Sequence, residues 1–334
     1  MVFSTFLFLA ILLFSTFLSL SMNNMLVAWL VLELGVVSFI PLMTLEKSFP
    51  MLSGSWKYFV IQASSSGLFV ISAISMNHPN SLGFFEPEVF WASFFVVVSM
   101  VVKLGMFPFF NWAVEIGGCL SWFSFSIFNT LIKIPPFFIL LFILESEKSV
   151  LIWMIVFSSS IFSLACFLEN SIRAILIYSG LLNLSWAMSS CKLSIFFSTE
   201  YLIFYFFSLV FCVKIFSMEK KSKVTELLFS TEMSGVEKLI KIFAFASLSG
   251  IPPFTMFFPK LEVLFLLSEG SHIFSMFLLL FISTLIMFIY LPFFFSTTFL
   301  SSWGVATTGN SLMSKLFINL ILLFSLSSFL ISFF

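Results

Sequence analysis

Apolar runs about as long as a bilayer is thick follow one another along almost the whole chain, separated by only a few polar or turn-forming residues. A spanning helix needs about 20 mainly apolar residues. In lipid every backbone N–H and C=O must be satisfied within the segment, so runs of this length and spacing fold as helices. Hydropathy and turn punctuation place eleven spans, at 2–22, 24–45, 56–77, 89–109, 120–144, 149–168, 171–190, 194–216, 237–268, 272–297 and 313–334. The predicted fold class is therefore all-α, a polytopic membrane helix bundle. Only 9% of the residues are charged, against roughly 25% in a soluble domain. The surface must face lipid, and residues 1–334 are read as a single transmembrane domain with no sizeable soluble part.

Several function classes drop out. Net charge is formally zero, so nothing calls for a nucleic-acid partner; membrane lipids are the expected surroundings. Cys119, Cys166, Cys191 and Cys212 are widely spaced and make no CxxC pair. Metal or iron–sulfur ligation needs clustered soft ligands, so no metal is expected and the thiols read as small buried hydrophobes. The first apolar run has no basic flank and no cleavage-like small-residue site after it, so it reads as a span and not a signal peptide. No Arg-rich transit peptide precedes it, so an organelle product would be made inside the organelle. The 53 Phe, against a lone Arg173, fit the T-rich coding of mitochondrial genomes.

Topology can be read from basic residues in alternate loops. Nine fall on one side, among them Lys47, Lys57, Arg173, Lys241 and Lys315, against Lys148 and Lys192 on the other. The N-terminus is then expected on the positive side. Met218–Lys241 is the one strongly charged stretch, read as a solvated loop or surface helix.

Two kinds of misfit inside the spans carry the functional argument. The first is helix breakers: Pro108 closes the fourth span, Pro135 and Pro136 interrupt the fifth, and Gly250, Pro252 and Pro253 interrupt the ninth. A broken helix survives at membrane depth only where protein or a water-filled cavity surrounds the freed carbonyls, which is a transporter signature. The second is charge: Glu33, Lys103, Lys133 and Lys260 sit well inside apolar spans, each at a cost of about 3 kcal/mol. Burial penalises an ammonium and a nearby carboxylate favours it, so a Glu–Lys pair that forms and separates can load and release a proton. Lysines linked by water at broken helices could pass that proton along, with no nucleophile, metal or cofactor.

The motifs around these residues come in a recognisable order. Trp29, Leu32 and Glu33 precede Pro41, and Lys57, Tyr58 and Phe59 precede Gln62. Lys103, Leu104, Gly105, Pro108, Trp112 and Glu115 follow, then Lys133 with Pro136. Arg173, Tyr178, Ser179 and Trp186 come next, and Ser247, Gly250, Pro252, Pro253, Thr255, Pro259 and Lys260 close the set. Over most of its length the chain thus resembles the NADH dehydrogenase subunit 2 family of mitochondrial respiratory complex I, an antiporter-like membrane subunit. The resemblance implies an antiporter-like fold of about 11 spans, the shortened animal form, and residues 1–334 acting as one proton-translocation domain. It implies that Glu33 and Lys103 are the proton-loading pair, Lys133 the central relay and Lys260 the step toward the exit.

It further implies a non-redox subunit of the H+-translocating NADH:ubiquinone reductase, with no complete active site in this chain. No cofactor is then bound here; NADH, FMN, iron–sulfur clusters and ubiquinone belong to partner subunits. The expected partners are other complex I membrane subunits, including neighbouring antiporter-like ones. The location would be the mitochondrial inner membrane, with the N-terminus on the matrix side. The chain departs from the family pattern at Gly35 (usually Asn), Phe110 (His), Ala113 (Pro), Ile132 (Gln) and Gly180 (Ser). Most of these exchanges remove a polar group that could bind water. A free-standing cation/proton antiporter and a structural membrane scaffold are the alternative readings.

Overall fold

The computed structural model describes residues 2–21, 24–45, 48–76, 87–146, 150–191, 194–219, 235–252, 254–270 and 272–301. Among them are helices and short turns only, with no strand. Contacts divide the chain into two compact units, Met1–Leu151 and Ile152–Phe334.

The first unit contains α1 (Val2–Ser21), α2 (Met25–Met43), α3 (Phe49–Met76), α4 (Pro87–Leu104), α5 (Asn111–Cys119), α6 (Trp122–Asn129) and α7 (Ile134–Ser146). Chain reversals are marked by side-chain caps. The Asn24 carboxamide accepts from the Leu26 N–H at 3.1 Å, and the Ser121 hydroxyl accepts from the Ser124 N–H at 3.4 Å. Hydroxyls inside the spans are satisfied by their own helix: Ser15 donates to the Leu12 carbonyl and Ser65 to that of Gln62, as lipid requires. Helix α3 packs on α2, α4 and α5, while α7 packs on α1 and α4. Four helices meet at an aromatic cluster of Phe39, Tyr58, Trp112 and Phe128, with centroid separations of 5.3 to 6.4 Å. Such pairs add about 0.5–1.5 kcal/mol each beyond their area.

The second unit contains α8 (Val150–Phe162), a 3-10 segment (Ser163–Leu168), α9 (Ile172–Ser190), α10 (Ile195–Glu219), α11 (Gly235–Ser249), α12 (Phe257–Glu269) and α13 (Ile273–Ser301). Helix α9 is its central strut. Apart from Arg173, its residues from Ile172 to Ser190 are buried, packed by α10, α12 and the 3-10 segment. Lipid never touches this helix, so its Ser, Asn and Trp positions are tolerated.

The first ten predicted spans fall on helical segments, and 313–334 lies outside the described residues. Among the described residues six helical stretches are long and apolar enough to cross a membrane, and three shorter ones are apolar. The third helix begins at Phe49 and not at 56, because Pro50 is accommodated in a first turn, where no N–H is needed. The same rule moves the break in the fifth span. Pro135 and Pro136 do not interrupt a helix; they start one, and the irregular backbone lies one turn upstream, from Thr130 to Lys133. The ninth span is broken as expected, between Ser249 and Phe257; Pro253 lies outside the described residues. A short helix, α5, occupies what reads as loop in the sequence. Lys57 and Lys241, counted among the loop bases, both lie within helices.

Candidate functional site

Three of the four charged positions belong to the first unit. Lys103 occupies the last turn of α4, where a cation complements the helix dipole. Its position is set by the residue two places on. Gly105 has φ +68°, and the Met106 N–H reaches the Val101 carbonyl at 3.1 Å. Those bonds make a Schellman-type helix end. A Cβ at Gly105 would lie 2.9 Å from the Cβ of Ala113 and 3.3 Å from the Trp112 ring. The Lys-Leu-Gly sequence therefore ends α4 one residue past the lysine and lets α5 fold closely against it.

Lys103 is 4% exposed, and its Nζ is buried with no hydrogen-bond partner. The same holds for the Nε2 of Gln62, which is 2% exposed. Both residues line a cavity of about 30 Å³. The remaining wall comes from Ser15 and Thr16 of α1, Gly35 and neighbours on α2, and Leu131, Ile132, Pro135 and Pro136 at the start of α7. Pro136 brings no N–H to the Ile132 carbonyl, so the usual helical donor is missing at this wall.

Lys133 sits in the 3-10 turn at that break and is 2% exposed. Glu33, on α2, is half-buried. It makes no direct ion pair with Lys103, although its carboxylate acts electrostatically on both Lys103 and the buried Tyr58. The ion pair closed among the described residues is a different one, Lys57–Glu115 at 2.6 Å, with both side chains largely exposed.

Lys260 belongs to the second unit, and its setting explains why the surrounding motif is so specific. Helix α11 ends at Ser249, and Gly250 turns the chain with φ +76°. The Lys260 Nζ, from the first turn of α12, reaches back across the break and donates to the Ser249 carbonyl at 2.9 Å. A Cβ on Gly250 would lie 2.9 Å from that Nζ. Glycine thus supplies both the left-handed turn and the space for the ammonium. On its other side Lys260 lies 6.0 Å from the Trp186 ring centroid.

Sequence reasoning missed three features. Ser15 and Thr16 belong to the Lys103 cavity, yet two hydroxyls in an apolar run carry no signal of which face they occupy. Lys241 is 4% exposed within α11. A buried chain of polar groups crosses α9 and α10: the Tyr201 hydroxyl donates to the Asn183 carboxamide oxygen at 3.0 Å, and that amide donates to the Ser179 carbonyl at 3.0 Å. The departure at Gly180 also gains a reason. A Cβ there would fall 2.5 Å from the Tyr205 hydroxyl, which occupies the space a serine would use. Gly35 and Ile132, two more departures, both line the Lys103 cavity. The cysteines are free thiols, three of them buried. Among the described residues no group of three or more His, Cys, Asp or Glu could hold a metal.

Residues 22–287 match the family described as NADH:quinone oxidoreductase/Mrp antiporter, TM. The chain is 31% identical over 317 residues to NADH-ubiquinone oxidoreductase chain 2 of Rhipicephalus sanguineus, covering 92% of this chain and 95% of that one. To the protein of the same name from Anopheles gambiae it is 28% identical over 316 residues, covering 92% and 91%. A chain in the structure of respiratory complex I from Thermus thermophilus superposes with a TM-score of 0.73 at 18% identity, covering 88% of this chain and 70% of that one; this likeness speaks to the fold. With the ordered motifs, the broken helices and similarity over 92% of the chain pointing the same way, the chain belongs to the NADH:quinone oxidoreductase/Mrp antiporter membrane family, among its NADH-ubiquinone oxidoreductase chain 2 members.

Proposed function

We propose that this chain is a core membrane subunit of proton-pumping NADH:ubiquinone oxidoreductase in the mitochondrial inner membrane, its N-terminus on the matrix side. It carries no redox centre and associates with other membrane subunits of that complex. Protons are relayed through Glu33, Lys103, Lys133 and Lys260, with both units serving one translocation domain. NADH, FMN, iron–sulfur clusters and ubiquinone act in partner subunits, and redox chemistry there drives the relay.

The observation that carries this reading is the setting of Lys103: a buried amine nitrogen with no hydrogen-bond partner, on the wall of a cavity at a helix break. A lysine that served only as a static structural ion would be paired, because an unpaired buried charge is costly. An amine that must take up and give up a proton is better served by a setting that does not lock it into a pair.

Lys133→Met tests the relay in the assembled complex. Protons moved per NADH oxidised should fall, while the complex still assembles. An unchanged ratio would remove Lys133 from the path and favour the scaffold reading. The family description also names Mrp antiporters. Purification of the chain as a monomer that exchanges Na+ for H+ in liposomes would favour the free-standing antiporter.

A further inference from the structure

The cavity beside Lys103 raises a specific question, because the two positions at which the wall lacks the usual polar side chain, Gly35 and Ile132, are both on it. Something else must serve the buried amine. The cavity's about 30 Å³ is room for one or two water molecules, and a water needs two to four polar partners to stay. The wall has them. Ser15 is 2% exposed and Thr16 is 6% exposed. Each hydroxyl hydrogen is already committed within α1, Ser15 to the Leu12 carbonyl at 2.8 Å and Thr16 to the Leu13 carbonyl at 2.8 Å. Toward the cavity these two oxygens can therefore only accept. Lys103 Nζ and Gln62 Nε2 are donors, both buried and both without a partner.

We propose that α1 supplies the hydration site of Lys103, with Ser15 and Thr16 as positioning residues that hold bridging water against the amine. This deepens the relay reading of Lys103 given above. The arrangement suits both forms of the lysine. A charged Lys103 donates to the water, which passes its own hydrogens to the Ser15 and Thr16 oxygens. A neutral Lys103 accepts a hydrogen from the water through its lone pair, while the Gln62 amide donates to the water oxygen. In both forms the water gives the Lys103 nitrogen a partner. A wall of carboxylates would instead lock the ammonium in place.

The geometry also predicts a rescue. A Cβ at Gly35 would lie 3.3 Å from the Ser15 hydroxyl oxygen, so Gly35 and Ser15 share one space, and a polar side chain from either wall can fill it. The test uses the assembled complex, with a density map fine enough to show ordered water and with protons moved per NADH oxidised. In the unaltered chain, water is expected in the cavity within hydrogen-bond distance of Lys103. S15A/T16V should lose that water and reduce pumping to the level of Lys103→Met, with assembly intact. Adding Gly35→Asn to that double variant should restore both, whereas Gly35→Leu should restore neither.

A dry cavity in the unaltered complex, or full pumping by S15A/T16V, overturns the hydration site. Failure of the Lys103 relay itself gives a different result: Lys103→Met pumps normally while the water stays and remains sensitive to Ser15 and Thr16.

Discussion

Replacing Gly250 by Ala should damage the second unit in a way that depends on Lys260. The backbone there has φ +76°, a conformation that costs an L-residue about 1–2 kcal/mol. The added Cβ would also meet Lys260 Nζ at 2.9 Å and its Cδ at 3.0 Å. The lysine is the flexible partner and must give way, so its bond to the Ser249 carbonyl is lost. A hydrogen bond from a charged group is worth about 1.5–3 kcal/mol. The sum for Gly250→Ala is then about 2.5–5 kcal/mol. With Lys260 already replaced by Ala, the steric part disappears and only the backbone part, about 1–2 kcal/mol, remains. The assay is a double-mutant cycle on the thermal dissociation midpoint of the complex. Gly67→Ala is the control: nothing lies within 4 Å of its added Cβ, and alanine in a helix is neutral or better by up to about 1 kcal/mol. Equal losses for Gly250→Ala with and without Lys260 would refute the reasoning.

Two further outcomes follow from the same kind of geometry. Gly105→Ala should be at least as harmful as Gly250→Ala, because its Cβ meets the backbone-fixed Cβ of Ala113 at 2.9 Å and no flexible side chain can yield; reduced amounts of assembled complex would check this, and normal assembly would contradict it. Gly180→Ser should impair assembly by colliding with the Tyr205 hydroxyl, and Tyr205→Phe in the same chain should relieve it; a Gly180→Ser complex indistinguishable from the unaltered one would remove Tyr205 from that space.

Much of this molecule is legible in one dimension because the bilayer imposes a simple rule. A segment of the right length must satisfy its own backbone, so apolar runs become helices wherever they occur. The positions of the breaks were readable to within a turn, since proline and glycine act on the backbone locally. Their exact place was not. Whether Pro135 interrupts a helix or begins one depends on where the preceding helix stops, and that end lies at Asn129, with Thr130 out of helical geometry. Pattern also could not tell loop from helix at Asn111–Cys119, because the turn that starts α5 needs Gly105 to sit against Ala113.

The candidate site divides along the same line. Glu33, Lys103, Lys133 and Lys260 stand out in sequence because a charge in an apolar span is conspicuous whatever surrounds it. Ser15, Thr16 and Asn183 do not, since in a membrane helix neither the lipid face nor the buried face has a hydropathy period to betray it. Spans, breaks and misplaced charges are local properties, and the amino-acid sequence by itself determined them. Which of those charges borders a cavity, which glycines leave room for a lysine, and which hydroxyl-bearing residues line the same cavity as Lys103 were decided only by the tertiary structure, because helix rotation and close packing are settled between segments far apart in the chain.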